Sequence, residues 1–435
     1  MPTHAHIHVL ISRPLRTLLC TLCVLCPALL SAGCARRDTA HNANGHLLVI
    51  GGGLERDNAP VYQRILELAK AASPEDKARV VIATAASADE AASEKSARAA
   101  FALYDTKAVI ACITRDTPSD ETVLILSRAN AIFFTGGDQK RITARYRPDP
   151  AAAPSPELLA FRELLNRGGV IAGTSAGAAM MSEIMFLGGR SIDALGYPRQ
   201  SANAAGRSNQ TDDPDNPASP DEAPPAKGPN IGPGMGFIRT LITDSHFIER
   251  NRVGRLVAAL EASNLRLGLG VAENACVHIN LRTGEIVGIS AAASQLIDIG
   301  AMHREGPARR NALAFTLNKD TRVNINDVLR SPAASQPQRE PTQAQPIDIT
   351  AAVPDAPESN RAERRLLSLR LFERAASASP RTAFKLVLDG WQITARQADR
   401  ADTNKHTWIA FDLEPTAATP STVSDAPKPT PTNAR

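Results

Sequence analysis

The chain has 435 residues, of which 43% are hydrophobic, so it can bury one large core or the cores of two domains. Its 31 prolines and an aromatic content of only 4% indicate sizeable stretches outside any packed core. The formal net charge of +4 is weak for this length, and no stretch interleaves basic with aromatic residues, so nucleic acid is not an expected partner.

The first 34 residues have the pattern of an export signal. Arg13 and Arg16 precede the apolar run LLCTLCVLCPALL, which is too short to span a membrane comfortably. The run ends in SAGC, which resembles a bacterial lipoprotein signal with Cys34 as the lipidated first residue of the mature chain. Ser31 stands where leucine is usual, so an ordinary secretory signal or an uncleaved anchor stays open. We expect an exported protein, lipid-anchored to a bacterial membrane (periplasm or outer face) or secreted.

Two cysteines follow Cys34, and both lie in apolar strand-like runs. Cys112 is in AVIACI and Cys276 is in ACVHI, so we expect buried free thiols. No CxxC pair and no His/Cys cluster with metal-ligand spacing follows the signal. The sequence therefore predicts neither a metal nor another cofactor.

Apolar β-runs alternate with helical patterns from His46 to about Ser290. The strand candidates are HLLVIGGG, RVVIATAA, KAVIACIT, AIFFTGG, GGVIAGTS, GLGVAENACVHI and GEIVGIS. The helix candidates are APVYQRILELAKAA, ADEAASEKSARAAFALYD, SPELLAFRELLNRG and RNRVGRLVAALEAS. Strands that are apolar throughout are typical of a parallel sheet covered on both faces. The prediction is an α/β fold, a mostly parallel doubly wound sheet with helices on both faces.

Composition divides the rest of the chain into folded and unfolded segments. Stretches rich in Asn, Asp, Pro, Ser and Ala are read as mobile, and a helical pattern followed by two strand patterns is read as a small appended segment. The predicted organisation is a signal over 1–34, a linker over 35–45, a main domain over 46–330 with a disordered insertion at about 200–233, a linker over 331–357, the appended segment over 358–415 and a disordered tail over 416–435.

A serine flanked by glycines stands where a strand pattern becomes a helix pattern, in GGVIAGTSAGAAMM. A Gly-x-Ser-x-Gly turn holds its serine in a strained conformation that raises Oγ above the sheet. The following helix points free N–H groups at the same spot, where they stabilise negative charge. Ser175 is therefore predicted to be a nucleophile, and a tight turn without chemistry is the alternative.

His246 is the candidate base, because it lies between an apolar strand and a helix, two residues after Asp244. Arg250, Arg252 and Arg255 follow, and the last two can share one helix face. Arginines in a first helical turn oppose the helix dipole, so an anionic substrate would explain them better than helix stability does. A solvated basic helix start is the alternative.

Four motifs resemble a known family. GGVIAGTSAGAAMMSE, FFTGGDQ, DSHFIERNRVGRL and GLGVAENACVHI closely resemble motifs of the cyanophycinases of the S51 serine peptidase family and, more distantly, of that family's aspartyl dipeptidases. The resemblance covers roughly residues 46–300, in the family's order and spacing apart from the insertion. It implies a fold similar to class I glutamine amidotransferases.

The resemblance also implies a catalytic triad. Ser175 matches the family's nucleophile, His246 its general base and Glu273 the carboxylate that orients the histidine. From the residues alone, Glu273 follows the apolar run LGLGVA at an expected strand end, and a surface glutamate in a turn with Asn274 is the alternative.

Further residues are expected around the triad. The TGGDQ turn leaves backbone N–H groups free, so Gly137 and the amide of Ala176 are candidate oxyanion donors. A helix start capped by Asp138 is the other interpretation of that turn. The resemblance implies that substrate contacts come from Gln139, Asp244, Arg250, Arg252 and Arg255.

Family cyanophycinases cut a polyaspartate polymer that carries arginine on each side chain, and they release β-aspartyl-arginine. The expected function is therefore an exported serine-type exopeptidase that acts on cyanophycin or Asp-containing peptides through an acyl-enzyme. Ser245 and Ala272 stand where the family commonly has glutamine and aspartate, which bears on substrate more than on chemistry.

Other functions stay open on sequence alone. These are an aspartyl dipeptidase or amidohydrolase for short peptides and a catalytically silent lipid-anchored binding protein. A glutamine amidotransferase relative would have cysteine in place of Ser175. The oligomeric state is open, with a homodimer among the options.

Overall fold

The computed structural model describes residues 43–196, 228–331, 345–348, 367–378, 382–388, 391–398 and 407–416. The predicted signal with Cys34, residues 200–227 of the predicted insertion and the tail from 417 onward lie outside these residues. Among the described residues, no helix combines the length and the apolar character that a membrane crossing needs.

The described residues form nineteen strands and ten helices. The strands are β1 (His46–Ile50), β2 (Arg79–Ala83), β3 (Val109–Ile113), β4 (Ala131–Phe134), β5 (Val170–Thr174), β6 (Ile184–Phe186), β7 (Ile231–Pro233), β8 (Leu241–Asp244), β9 (Leu267–Val271), β10 (Cys276–Asn280), β11 (Glu285–Gly288), β12 (Ser294–Asp298), β13 (His303–Glu305), β14 (Ala308–Leu317), β15 (Arg322–Asn324), β16 (Ile347–Asp348), β17 (Ala383–Leu388), β18 (Trp391–Gln397) and β19 (Ile409–Pro415). The helices are α1 (Ala59–Ala71), α2 (Glu90–Ala102), α3 (Ser119–Ser127), α4 (Gln139–Tyr146), α5 (Pro156–Asn166), α6 (Ala176–Ala179), α7 (Ser191–Leu195), α8 (Val253–Ser263), α9 (Ile325–Arg330) and α10 (Leu367–Ser377).

The first sheet has eight strands in the order β15-β11-β10-β1-β5-β4-β2-β3. The five from β1 to β3 in this order are parallel, and β10, β11 and β15 continue the sheet with antiparallel pairing. In the β1–β5 register, Ile50 lies opposite Thr174, so both strands end at the same edge. Ser175 follows at that edge, where sites of doubly wound sheets collect.

Alternate residues of the parallel strands are buried on opposite faces of this sheet. Leu47 and Val49 of β1 belong to a core that includes residues of α4 and α5, whereas Leu48 and Ile50 pack in a second core with α1 and α2. Strands have a side-chain period of two, so burial of every residue requires cover on both sides. The predicted doubly wound α/β class is confirmed.

Local signals fix the helices that cover the sheet. At α5, for example, Ser155 Oγ accepts a hydrogen bond from the N–H of Leu158 at 3.0 Å, and Pro156 occupies the first turn, where no intrahelical donor is needed. The same combination of a capping residue and an apolar stripe made this helix predictable from its sequence.

A second sheet, which the sequence did not predict, has the order β16-β17-β18-β19-β14-β12-β9-β8, with β13 added beside β14. Only β8 with β9 and β16 with β17 pair in parallel. The run GLGVAENACVHI, read as one strand, is split. Its first part is β9 of the second sheet, and its last part is β10 of the first. The chain changes sheets at Ala272–Ala275.

Two segments predicted to be unstructured contain strands where the structure describes them. Ile231–Pro233, at the end of the predicted insertion, pairs with β6, and Ile347–Asp348, inside the predicted second linker, pairs with β17. The appended segment is continuous with the second sheet, because β19 pairs with β14 of the main domain. Composition could not predict these short edge strands, because strand pairing uses backbone groups that every residue carries.

Candidate active site

Ser175 occupies a strained turn between β5 and α6. Its φ of 54° and ψ of −109° lie outside the regions that L-residues favour, as expected of a nucleophile turn. A Cβ on Gly173 would lie 2.2 Å from the carbonyl oxygen of Gly177, and one on Gly177 would lie 2.6 Å from that of Phe134. Both glycines are therefore needed for the helix and the neighbouring strand to approach the turn.

The predicted base and carboxylate come from the second sheet. His246 follows β8, with a φ of 46°, and Glu273 follows the parallel neighbour β9. The imidazole Nε2 lies 2.8 Å from Ser175 Oγ, and Nδ1 lies 2.7 Å from Glu273 Oε1. The structure thus brings the three predicted triad residues into one hydrogen-bonded chain across two sheets.

The environment of His246 favours its neutral form. Burial lowers the pKa of His246, the hydrogen bond to the Glu273 carboxylate opposes that shift, and the nearby charges of Arg250 and Arg252 lower the pKa further. A neutral ring whose Nδ1–H donates to Glu273 leaves Nε2 as an acceptor for the Ser175 hydroxyl. The arrangement can therefore take a proton from Ser175 near neutral pH.

The predicted oxyanion donors lie beside Ser175. A Cβ on Gly136 would be 3.4 Å from the Ser175 Cβ, so the turn after β4 touches the nucleophile. The next residue, Gly137, has a φ of +133° and packs against the Ala86 carbonyl, which only glycine tolerates there. Ala176 is the first residue of α6, and its N–H has no partner within that helix. Their role as oxyanion donors remains a prediction.

Gln139 begins α4 and donates a hydrogen bond from Nε2 to the carbonyl oxygen of Phe186 at 2.8 Å. This bond ties α4 to β6. Asp138 accepts a hydrogen bond from the N–H of Lys140, so it caps the helix, as the alternative interpretation of TGGDQ proposed. The predicted substrate contact of Gln139 stays a prediction, and one N–H of its amide already donates to Phe186.

Asp244 and Arg255 are buried and bound to each other, and the substrate contacts expected of both side chains stay a prediction. Arg255 Nε donates to Asp244 Oδ2 at 2.8 Å, its Nη2 donates to the other carboxylate oxygen, and its Nη1 donates to the Gly189 carbonyl. The guanidinium also lies 4.4 Å from the centre of the Phe186 ring. With both side chains closed to solvent, the pair supports the loop that carries His246.

Arg252 and Arg250 lie nearer the histidine. Arg252 Nη1 donates to the Ser245 carbonyl at 2.7 Å and reaches Asp244 Oδ1 at 3.4 Å. Arg250 donates its N–H to the His246 carbonyl at 3.1 Å. Both are partly exposed and charged beside the imidazole, so a substrate contact remains a prediction for these two arginines.

The turn that follows β1 contacts two of the triad residues, His246 and Glu273, and no role was predicted for it from the sequence. A Cβ on Gly52 would lie 2.3 Å from the His246 ring, and one on Gly53 would lie 3.3 Å from the Glu273 Cβ. Three consecutive glycines after an apolar strand were the available signal, because such a run marks close backbone approach.

The residues that the structure describes contain no group of three or more His, Cys, Asp or Glu side chains that could hold a metal ion. Cys276 is buried and Cys112 is half-buried, and both are free thiols. Burial raises the pKa of Cys112 to about 12, so this thiol is inert near neutral pH.

Curated relatives carry the name that the resemblance suggested. The chain is 31% identical over 162 residues to "Cyanophycinase" of Synechococcus elongatus, which covers 37% of this chain and 39% of the relative. It is 31% identical over 160 residues to "Cyanophycinase" of Nostoc sp. (strain PCC 7120 / SAG 25.82 / UTEX 2576), covering 36% and 42%. The match thus spans about two-fifths of the length of these relatives.

Solved structures are similar at low sequence identity. A peptidase from an acI-B1 Actinobacterium aligns with a TM-score of 0.43 and 15% identity, covering 66% of this chain and 98% of that one. A putative peptidase E protein from Listeria monocytogenes EGD-e aligns with a TM-score of 0.33 and 14% identity, covering 56% and 97%.

A family profile matches the central part of this sequence. The profile of Peptidase family S51 matches residues 47–287, more than half of the chain. The matched range contains Ser175, His246 and Glu273, which meet in the structure. The chain therefore belongs to peptidase family S51.

Proposed function

We propose that this protein is a serine-type peptidase that hydrolyses β-aspartyl bonds, with cyanophycin as its substrate and β-Asp-Arg dipeptides as its products. One observation carries the proposal, the hydrogen-bonded chain from Ser175 Oγ through both nitrogens of His246 to Glu273 Oε1. A serine hydroxyl becomes a useful nucleophile only beside a base that is itself oriented by a third group.

The proposed mechanism follows from this geometry. Ser175 Oγ attacks the scissile carbonyl carbon while its proton passes to His246 Nε2, and the negative oxygen is held by the N–H groups of Ala176 and Gly137. Collapse of this intermediate breaks the C–N bond, and His246 gives its proton to the leaving amine. Water then repeats the sequence on the acyl-enzyme, freeing the carboxylic acid and restoring Ser175.

The charge of the site supports a substrate that carries carboxylates. Arg250 and Arg252 lie close enough to His246 to lower its pKa, so two guanidinium groups stand near the base of the triad. Guanidinium groups bind carboxylates strongly and often through two hydrogen bonds. Cyanophycin and short Asp-containing peptides both present such carboxylates, and the names of the curated relatives favour the polymer.

The test is hydrolysis by the full-length, detergent-solubilised chain, given cyanophycin and α-linked Asp-X dipeptides separately. We expect release of β-Asp-Arg from cyanophycin. Ser175→Ala should lower the rate by on the order of 1,000-fold or more, because it removes the nucleophile. Ser263→Ala is the matched control and should leave the rate unchanged, since among the described residues the Ser263 hydroxyl bonds only the backbone of its own helix.

The alternatives predict different results in the same assay. Cleavage of the dipeptides alone would assign the protein to aspartyl dipeptidase activity. Binding of cyanophycin without any cleavage would indicate a catalytically silent binding protein. Equal loss of activity in both serine variants would contradict the role proposed for Ser175.

We also propose that the mature chain is exported and anchored by a lipid on Cys34. The support is the SAGC sequence after a short apolar run. Mass spectrometry of a membrane fraction should find an N-terminus at lipidated Cys34, and an unmodified N-terminus elsewhere would contradict the anchor.

A further inference from the structure

Three consecutive carbonyl groups at the end of β1 receive backbone hydrogen bonds from the three triad segments. The Ile50 carbonyl accepts from the N–H of Ser175 at 3.0 Å, and the Gly51 carbonyl accepts from that of His246 at 2.6 Å. The Gly52 carbonyl accepts from the N–H of Asn274, the residue after Glu273, at 2.7 Å. One turn therefore ties together segments that come from two different sheets.

Gly52 also lies directly against the imidazole. A Cβ at this position would be 2.3 Å from Cε1 and 2.4 Å from Nε2 of His246, distances that Cβ atoms essentially never show. The contact covers the nitrogen that faces Ser175. Because the ring is confined on this side by backbone, it cannot tilt towards Gly52 and away from the hydroxyl.

The carboxylate end of the triad is fixed by Asn58 through Asn274. Asn58 stands at the N-cap of α1, yet its side chain makes no capping hydrogen bond. Its Nδ2 instead donates to the backbone oxygen of Asn274 at 2.9 Å and to the Oδ1 of Asn274 at 2.7 Å. Asn274 has a φ of 55°, so this clamp holds a strained residue next to Glu273.

We propose that Gly52 and Asn58 are positioning residues, the first confining the imidazole of His246 and the second fixing the segment that carries Glu273. The proposal rests on the proposed serine-hydrolase function for its effect on rate. Neither residue contacts the bond to be cleaved. Both act by holding the hydrogen-bonded chain from hydroxyl to carboxylate within reacting distance.

The decisive comparison is Gly52→Ala against Gly168→Ala in the full-length protein. Both glycines have positive φ, +102° and +87°, so both substitutions strain the backbone, but nothing lies within 4 Å of a Cβ at Gly168. We expect Gly52→Ala to lower kcat by about 100-fold with little change in KM, because an ångström of misplacement costs about that much. Gly168→Ala should lose stability without this loss of kcat.

A second readout does not depend on hydrolysis. The proton that His246 Nδ1 donates to Glu273 should give a far-downfield proton NMR resonance. Gly52→Ala should shift this resonance upfield or abolish it, and Gly168→Ala should keep it. Asn58→Ala, which leaves the turn intact, should broaden or shift the resonance and lower kcat by about tenfold, the scale of losing one orienting contact.

The outcomes separate the two proposals. If the wild-type protein has no hydrolase activity but Gly52→Ala changes the resonance of the Nδ1 proton, the positioning role is supported and the proposed function is rejected. An active enzyme in which Gly52→Ala matches Gly168→Ala in kcat and resonance would reject positioning and keep the function. If Gly52→Ala does not fold, Asn58→Ala decides alone, and wild-type behaviour of that variant overturns the proposal.

Discussion

The two ends of β1 each lie beside a buried histidine, and the two rings differ in what surrounds them. His246, at the end of β1, is 5% exposed, and His278, whose ring contacts His46 at the start of β1, is 3% exposed. His246 contacts the Glu273 carboxylate and the Ser175 hydroxyl. His278 contacts another histidine, His46, at 3.0 Å and faces Arg64 at 3.5 Å.

Burial alone does not distinguish the two histidines, but their charged neighbours do. Burial lowers the pKa of both rings, but at His246 a carboxylate opposes the shift, whereas at His278 the charge of Arg64 adds to it and the pKa falls to about 3. A base must hold a proton during the reaction, and a ring with so low a pKa holds one poorly. The carboxylate, more than the burial, marks His246 as the proposed catalytic histidine.

The largest expected effect comes from removing that carboxylate. Glu273→Gln keeps an oxygen that can accept from Nδ1 but removes the charge that supports a protonated ring, so kcat should fall on the order of 1,000-fold. The pKa of His246 should fall too, because Glu273 is the group that raises it. The acid limb of residual kcat/KM against pH should therefore move to lower pH.

Steady-state kinetics from pH 4 to 8 would measure both changes. Glu285→Gln is a suitable control, because the Glu285 carboxylate is partly exposed and pairs only with Arg322 among the described residues. An acid limb that stays in place in Glu273→Gln would show that the carboxylate does not set the basicity of His246.

An intermediate effect is expected for stability at the other end of β1. His278 has a folded-state pKa of about 3 and an ordinary value of 6.5, so below pH 6.5 the unfolded chain binds a proton that the folded chain does not. Stability is therefore lost as pH falls from 6.5. His278 makes the free energy of unfolding fall by up to about 1.4 kcal/mol for each unit by which the pH decreases.

Urea unfolding between pH 7 and pH 5 would detect this slope. His278→Gln should be less stable than wild type at pH 7, because the contact with His46 is lost, and its stability should vary less with pH. Its kcat should stay near the wild-type value, since no triad residue touches the ring. An unchanged slope would mean that His278 is protonated equally in both states.

The smallest effect is expected for Arg64→Gln. Arg64 lowers the pKa of both His278 and His46, so its removal should raise both values and reduce acid destabilisation. Arg64 is partly exposed and solvent screens its charge, so the gain at pH 5 should stay below about 1 kcal/mol. The same unfolding series would measure it, and a steeper pH dependence would contradict the sign.

The sequence by itself determined the parallel sheet and the nucleophile turn. Runs such as HLLVI and VIAGT each contain four consecutive apolar or glycine residues, all buried, which only a strand covered on both faces satisfies. The turn at Ser175 was predictable because its cause is local, two glycines within two residues of the serine and a strand and helix on either side. Local periodicity and turn conformation depend on residues that are close together in the sequence.

Only the tertiary structure decided how the site is assembled. Ser175 and His246 are 71 positions apart and come from different sheets, and the split of GLGVAENACVHI between those sheets depends on strand pairing that no short window shows. The closed pair of Asp244 with Arg255 and the contact of Gly52 with the imidazole depend likewise on long-range packing. The type of a residue limits the bonds that its side chain can make. The packing of distant segments decides which of these bonds form.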